Sequence, residues 1–494
     1  MLSVLVFLPL VVAIALVAVP ALPPRAVQLA CVATTLVELA LAAALWWRYD
    51  SPARGALAFD AQVDWIPGVG SSYHVGLDGV SLPLVLMTTL VFAACAVYTL
   101  GDQDRPRAQA ALFLFLECVS LGLFAAADLL VFFVFFDLSI VAMYFVIAGW
   151  GHGNAAKSAL KFFLYTFLGS LALLLGFIGL YVGADPHTFD MVELAASPPF
   201  QGSAVAGGFV LAAILLGLAV KTPTFPFHTW LPPAHTDAPA FGSAVLAAVL
   251  LKMGTYGFVR IAMPMLPEAW RAWAVVIVVV GVVSVLWGAL AALAQDNLKR
   301  MIAYTSVNHM GYIAVAVGAA GLVAGTRPRE VAVTGAVTQM VSHGLLTGAL
   351  FLLAGVMSRR TESYEMDRYG GLAQPAPRFA ALFTVAAFGS LGLPALSGFI
   401  AELQIFAGSI AVAPATAIAT VGIVVTAALF LRALQRVFTG SAGELTSGFA
   451  DVTAREWAPV AALLVVSVAI GIWPRPLLDL IEPAASAVVA LVGR

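Results

Sequence analysis

The chain has 494 residues, 62% hydrophobic and 10% charged, with a net charge of −2 and a mean hydropathy of +1.00. Soluble domains carry roughly 25% charged residues, so the composition excludes a water-soluble enzyme and describes a membrane protein. The near-neutral balance by itself says nothing about a nucleic-acid partner, but no basic cluster occurs anywhere and no such partner is expected.

A helix crossing hydrocarbon needs about 20 predominantly apolar residues. On that ruler the chain is an all-α polytopic membrane protein with fourteen spans. The first three cover residues 2–19, 27–47 and 80–100. The first lacks a preceding basic residue and a following cleavage site, so it reads as a membrane helix, not a signal peptide. The longest loop, residues 48–79, is rich in Pro, Gly and Asp and is expected to fold over the outer surface. Spans four to eight are 109–127, 129–150, 159–182, 207–231 and 241–263; nine to thirteen are 273–294, 301–320, 331–357, 379–411 and 414–437; 457–481 is the last. Cys31, Cys95 and Cys118 lie singly in apolar runs without metal-type spacing, as small core residues do.

Two spans are interrupted. Pro223 and Pro226 should break the seventh near 222–227, and GLPALSG at 392–398 should break the twelfth. Backbone freed by a break cannot be satisfied by lipid, so each break must be buried in protein or line a wet cavity. The breaks fall in the fourth helix of two successive five-helix sets, the pattern of inverted repeats. The expected division is residues 1–108 (three helices), 109–263 (first repeat), 264–437 (second repeat) and 438–494 (last helix). Counting Lys and Arg loop by loop puts fourteen on one side and eight on the other, which places both termini outside.

A charge at the centre of a span costs roughly 2.5–3.5 kcal/mol on insertion scales. Asp137, Lys221, Lys252 and Glu402 accept that cost, in spans five, seven, eight and twelve. Static ion pairing is the bland explanation, but two lysines with so few carboxylates favour groups that take up and release protons. His309 and His343, in spans ten and eleven, are stepping stones between them, although a lone buried histidine is more often a hydrogen-bonded core residue. Glu117 in span four reads as a contact with a neighbouring subunit, and His228 and His235 as residues ordering the first break. Lys161, Lys299 and Arg300 read as interface anchors near the cytoplasmic ends. No dinucleotide fingerprint, phosphate loop, cysteine cluster or haem pair occurs, so no cofactor or metal is expected in this chain.

At these residues the chain resembles the antiporter-like membrane subunits of proton-pumping NADH:quinone oxidoreductase, respiratory complex I. The matching segments run from Leu129 to Phe406 and include FPFHTWLP at 225–232, LLKMGTYG at 250–257, DNLKRMIAYTSVNHMGY at 296–312 and GLPALSGFIAELQIF at 392–406. Glu402, where related branches carry lysine, and the short C-terminus resemble the M branch, also called chain 4. The resemblance implies fourteen helices, two inverted repeats and half-channels joined by a central polar axis. It implies that Lys221 binds a proton under the control of an acidic residue in span five. Lys252 then connects the half-channels, His343 belongs to the axis, His309 matches a span-ten position, and Glu402 serves the second half-channel. It also implies L-like and N-like neighbouring subunits around this one. In this chain the span-five residue is Asp137 instead of the family's glutamate, so its pair with Lys221 must be closer in backbone, water-bridged or weaker.

The mechanism expected is proton transfer from Lys221 through water to Lys252, past His343 to Glu402, triggered when Asp137 is drawn away. The partners are other complex I subunits, the lipid bilayer, protons and internal water; the Ala, Val and Arg bias suggests a bacterial plasma membrane. The alternatives are a subunit of a multi-subunit sodium/proton antiporter, a relative in a membrane-bound hydrogenase, and a purely structural spacer.

Overall fold

The computed structural model describes residues 1–52 and 56–493. Arg54 and Arg494, both counted in the charge comparison, lie outside the described residues. Among the described residues, eleven helices are long and apolar enough to cross a membrane, with shorter apolar helices beside them. The chain begins with α1 (Leu2–Ala18) and α2 (Pro24–Arg48), then a hairpin of β1 (Ala58–Ile66) and β2 (Ser71–Leu77). The expected outer loop is thus largely an antiparallel ribbon, in which Gln62 pairs with His74 and Asp64 with Ser72. Helices α3 (Ser81–Tyr98), α4 (Pro106–Ala125), α5 (Leu129–Trp150) and α6 (Ala155–Gly183) follow. A short α7 (Met191–Ala196) then lies beside the hairpin, because Asp190 at its N-terminus bridges to Asp128 at the start of α5.

The seventh span breaks as its prolines require. It runs as α8 (Ala204–Lys221), an irregular stretch over 222–230, and α9 (Leu231–Asp237). The freed groups find partners in protein: Trp230 Nε1 donates to Val220 O at 3.0 Å and Phe225 N to Ser284 Oγ at 2.9 Å. Next comes α10 (Ala240–Met265), which contains two π-helical stretches, Leu246–Leu250 and Phe258–Ala262. The chain continues through α11 (Pro267–Leu293), α12 (Leu298–Ala319) and α13 (Thr326–Thr361). The twelfth span divides into α14 (Pro377–Ser390) and α15 (Ser397–Val412), with the gap at 391–396 instead of 392–398. After α16 (Val421–Phe438), the expected last span is two helices, α17 (Ala454–Ile472) and α18 (Arg475–Val492). The turn at Trp473–Pro474 separates them, and α18 buries only one side, through Leu477, Ile481 and Val489.

Lateral helices such as α6 expose Leu160, Leu164, Leu168 and Leu175, one stripe at helical spacing, as a lipid- or neighbour-facing surface requires. The centre is α10 and α13, the two spans most completely enclosed by the rest of the chain. They also carry Lys252 and His343. Polar side chains are therefore concentrated where lipid is furthest away.

Candidate functional site

The site is built where the two broken helices meet the two central ones. Lys221 is the last residue of α8, so the break that follows leaves its side chain inside the protein, 1% exposed. Its Nζ donates to Ser139 Oγ at 2.9 Å and lies 4.6 Å from the centre of the Phe136 ring. Ser139 and Phe136 are three apart on α5 and so share a face. Asp137 lies between them in sequence, is half-buried at the edge of that face, and its Oδ1 has no protein partner. Among the described residues no carboxylate comes within 4.0 Å of Lys221 Nζ. The direct pair is not formed, and a serine hydroxyl faces the ammonium.

Gly254 allows the break to press against α10, since a Cβ there would stand 2.3 Å from Thr222 Oγ1 and 2.8 Å from Thr222 N. Two residues earlier on the same helix, Lys252 is fully enclosed. Its Nζ folds back to Ala247 O at 2.6 Å, a carbonyl within the first π-helical stretch. π-Turns are rare and often sit at functional sites. The same Nζ lies 2.6 Å from His343 Nδ1 on α13. The His343 ring is 5.3 Å from that of His309, centre to centre, and His309 Nε2 reaches Ser390 O at 3.1 Å and Glu402 Oε1 at 3.9 Å. A small cavity bordered by His309, His343, Gln339, Ser342 and Glu402, with room for about one water, closes this line. Four of the six candidate residues therefore form one contiguous polar row across α10, α13, α12 and α15, and Lys221 with Asp137 stands apart from it.

At the second break Gly392 adopts φ +79°, and a Cβ there would sit 2.5 Å from Glu402 Oε2. Ser397, starting α15, joins a hydroxyl chain from Ser342 to Ser467, each step 2.7 Å. Several buried polar atoms around the row have no protein partner, among them Thr222 Oγ1, Ser306 Oγ, His309 Nδ1 and His343 Nε2.

Lys299 departs from the interface position expected of it. It is fully buried on α12, and its Nζ binds Ala238 O at 2.5 Å and Thr236 O at 3.3 Å, closing the C-terminal end of α9. A lysine at a span's end reads as a snorkelling one, but α9 folds back over Lys299. His235 is also buried, stacked on Phe351 at 4.5 Å, and His228 Nε2 accepts from Trp287 Nε1 at 3.0 Å. A cavity of about 410 Å³ bordered by Lys161, Asp237, Arg300 and Tyr304 opens beside α9. Glu117 does not face a neighbouring subunit: it and Glu38, a carboxylate missed in the second span, are both fully enclosed within this chain. All four of their carboxyl oxygens lack protein partners. The sequence signal for Glu38 was an acidic residue in the middle of an apolar run. Among the described residues no group of three or more His, Cys, Asp or Glu is arranged to hold a metal ion.

Residues 126–429 match the family model described as NADH:quinone oxidoreductase/Mrp antiporter, TM. The chain is 36% identical to NADH-quinone oxidoreductase subunit M of Rhodobacter capsulatus, over 99% of this chain and 96% of that one. It is 36% identical to NAD(P)H-quinone oxidoreductase chain 4 2 of Thermosynechococcus vestitus, over 96% and 89% of the two. Its fold superposes on a chain of respiratory complex I from Thermus thermophilus with bound NADH, with a TM-score of 0.90, 30% identity and full coverage of both.

Proposed function

The chain belongs to the NADH:quinone oxidoreductase/Mrp antiporter family of membrane subunits, and on that premise we propose a proton route through its buried side chains. It is a multi-pass, proton-translocating subunit of NADH:quinone oxidoreductase, acting as one part of a multi-subunit complex. In the proposed route Lys252, His343, His309 and Glu402 pass the proton, and Lys221 with Asp137 forms the gate that loads it. The observation that carries this reading is the 2.6 Å approach of Lys252 Nζ to His343 Nδ1, both enclosed. An ammonium and an imidazole at that distance share a single proton, since only one of the facing atoms can hold it. Orphaned polar atoms beside the row cost about 1–3 kcal/mol each unless water partners them, which favours internal water as the carrier between Lys221 and Lys252.

The gate works through the charge on α5. With the Asp137 carboxylate turned toward Lys221 the ammonium keeps its proton. With the carboxylate turned away, Ser139 and the Phe136 face remain, and these hold a cation more weakly. Asp137 is half-exposed on this chain's side, where a neighbouring subunit can move it. L-like and N-like subunits are the proposed neighbours. The bacterial plasma membrane is the proposed location, with the side bearing both termini and the hairpin facing out. The division into two inverted repeats, 109–263 and 264–437, is supported by the matching breaks at 222–230 and 391–396. No step of the route calls on a cofactor in this chain. The test is NADH-driven proton uptake in reconstituted complexes carrying Lys221→Ala or Lys252→Ala. Loss of uptake with the complex assembled supports the reading, and full pumping by both ends it.

The family description also covers antiporter subunits. Sodium-dependent proton flux without NADH or quinone would favour that second reading.

A further inference from the structure

The hairpin carries a histidine whose surroundings the proton route does not use. His74 on β2 has a side chain only 6% exposed, with a carboxylate on each ring nitrogen. Nδ1 lies 2.5 Å from Asp190 Oδ2 and Nε2 lies 2.8 Å from Asp60 Oδ1. Asp190 is 7% exposed and Asp60 54% exposed, so one partner is enclosed and the other meets solvent. A neutral imidazole has one N–H and one lone pair, and the lone pair would face a carboxylate oxygen. Only the imidazolium donates to both.

The same residues tie the hairpin to a transmembrane helix. Asp190 caps α7 by accepting from Val192 N and Glu193 N. Asp128 caps α5 by accepting from Leu130 N and Val131 N, and it also takes Ser71 Oγ and Ser72 N from β2. Ala127 N donates to His74 O at 2.9 Å, and Met191 N to Ala127 O at 2.8 Å. The imidazole thus joins β1 to the cap of α7, and the start of α5 is bonded to both through the His74 carbonyl, Asp128 and the Ala127–Met191 contact. Asp137 stands nine residues beyond Asp128 on α5, about 13 Å along the helix.

We infer that His74 is a positioning residue for proton translocation: as an imidazolium it clamps the hairpin onto the cap of α7, which is bonded to the outer end of α5, and its deprotonation loosens the anchorage of the helix that carries Asp137. Burial by itself would lower the imidazole's hold on its second proton, but the hydrogen bonds and charges of Asp190 and Asp60 reverse this and raise its titration above the ordinary value. Burial would raise Asp190, yet His74 and the α7 amides hold it below the usual carboxylate range. A raised imidazole stabilises fully below its ordinary value and stops doing so as pH rises through the raised one. A lowered carboxylate stabilises above its ordinary value and stops doing so as pH falls through the lowered one. The clamp is at full strength between the ordinary carboxylate and imidazole values, and it opens on the alkaline side. The other charged groups around it are Asp64 on β1, Asp128 at α5, Glu193 at α7, and Arg260 on α10, whose charge reaches Asp190. Apart from Arg260 they are acidic, and they favour the cation.

The inference rests on the proposed role of Asp137. Its first test needs no turnover. Hydrogen–deuterium exchange of the whole complex in liposomes is followed against pH in peptides spanning 58–77 and 128–135. After correction for the intrinsic pH dependence of exchange, the wild type should gain protection loss in both peptides through one shared midpoint. Asp60→Asn should move that midpoint down by about one pH unit, and His74→Gln should leave a flat, weakly protected profile. Proton uptake per NADH, measured in the same liposomes, should fall at the wild-type midpoint and follow it in Asp60→Asn. A wild-type exchange profile that superimposes on that of His74→Gln overturns the clamp. Exchange that titrates while uptake stays flat overturns the positioning role. Neither outcome depends on whether Lys221→Ala abolishes pumping, so the two failures are distinguishable.

Discussion

Lys252 Nζ and His343 Nδ1 face each other at 2.6 Å across the contact between α10 and α13, with neither residue open to solvent. Burying an ionisable amine costs several kcal/mol unless it finds partners. Lys252 has two, the imidazole and Ala247 O. His343 Nε2 has no protein partner, and the His309 ring lies 5.3 Å away, centre to centre.

On the proposed route His343 is a transfer residue and not a prop. His343→Ala should lower NADH-driven proton uptake by at least about tenfold while the complex assembles. His343→Gln, which keeps a hydrogen-bonding group but does not carry a proton, should fail equally. Uptake measured in proteoliposomes, normalised to the amount of assembled complex, decides it; wild-type uptake in His343→Gln would rule out the imidazole as a carrier.

Gly392 is the place where backbone and chemistry compete for the same space. Its φ of +79° and the 2.5 Å approach of a Cβ to Glu402 Oε2 both oppose substitution. Gly392→Ala should cost about 1–2 kcal/mol of backbone strain and push Glu402 away from His309. Reduced pumping with near-normal amounts of complex is the expected result, read by native-gel yield alongside uptake.

Lengthening the arm on α5 tests the gate. Asp137→Glu brings a carboxylate one methylene closer to Lys221 and should pump at least as well as the wild type. Asp137→Asn, which removes the carboxylate charge of the proposed gate, should lower uptake by about tenfold or more. Equal pumping by the aspartate and asparagine forms would remove Asp137 from the route.

Lys299 holds two carbonyls at the end of α9. Lys299→Met fills similar volume but leaves those acceptors unpaired, a loss of about 1–3 kcal/mol. A lower thermal midpoint of the complex in detergent, with proteolysis newly admitted near residues 231–240, is expected. Unchanged melting would mean that α9 is anchored by its other contacts.

Much of this was legible in the residues. Hydrocarbon admits only helices with continuous apolar composition, so span positions follow from a ruler of length and hydropathy. Prolines at 223 and 226 announce the first break because they remove donors and clash with the preceding turn. Buried charges stand out for the same reason, and Lys221, Lys252 and Glu402 could be named from their places within spans. Glu38, an acidic residue within the apolar run 27–47, is readable by the same argument. The hairpin was harder to see: β1 is mostly exposed, so the core demands no apolar alternation from it. Helices α17 and α18 read as one span because hydropathy runs on across Trp473–Pro474 while the chain turns.

By itself the sequence determined that this is a multi-span membrane protein, where two of its helices break, and that Lys221, Lys252 and Glu402 lie within spans, because the cost of polar groups in lipid acts on each segment separately. Only the tertiary structure decided that Lys252 meets His343, that Lys221 faces Ser139 in place of Asp137, that Lys299 is enclosed, and that His74 lies between two aspartates. Those pairings join residues tens to more than a hundred positions apart, and they depend on how each helix is rotated and how closely neighbouring backbones approach. Side-chain packing sets those quantities across the whole bundle, and no single stretch of residues contains them.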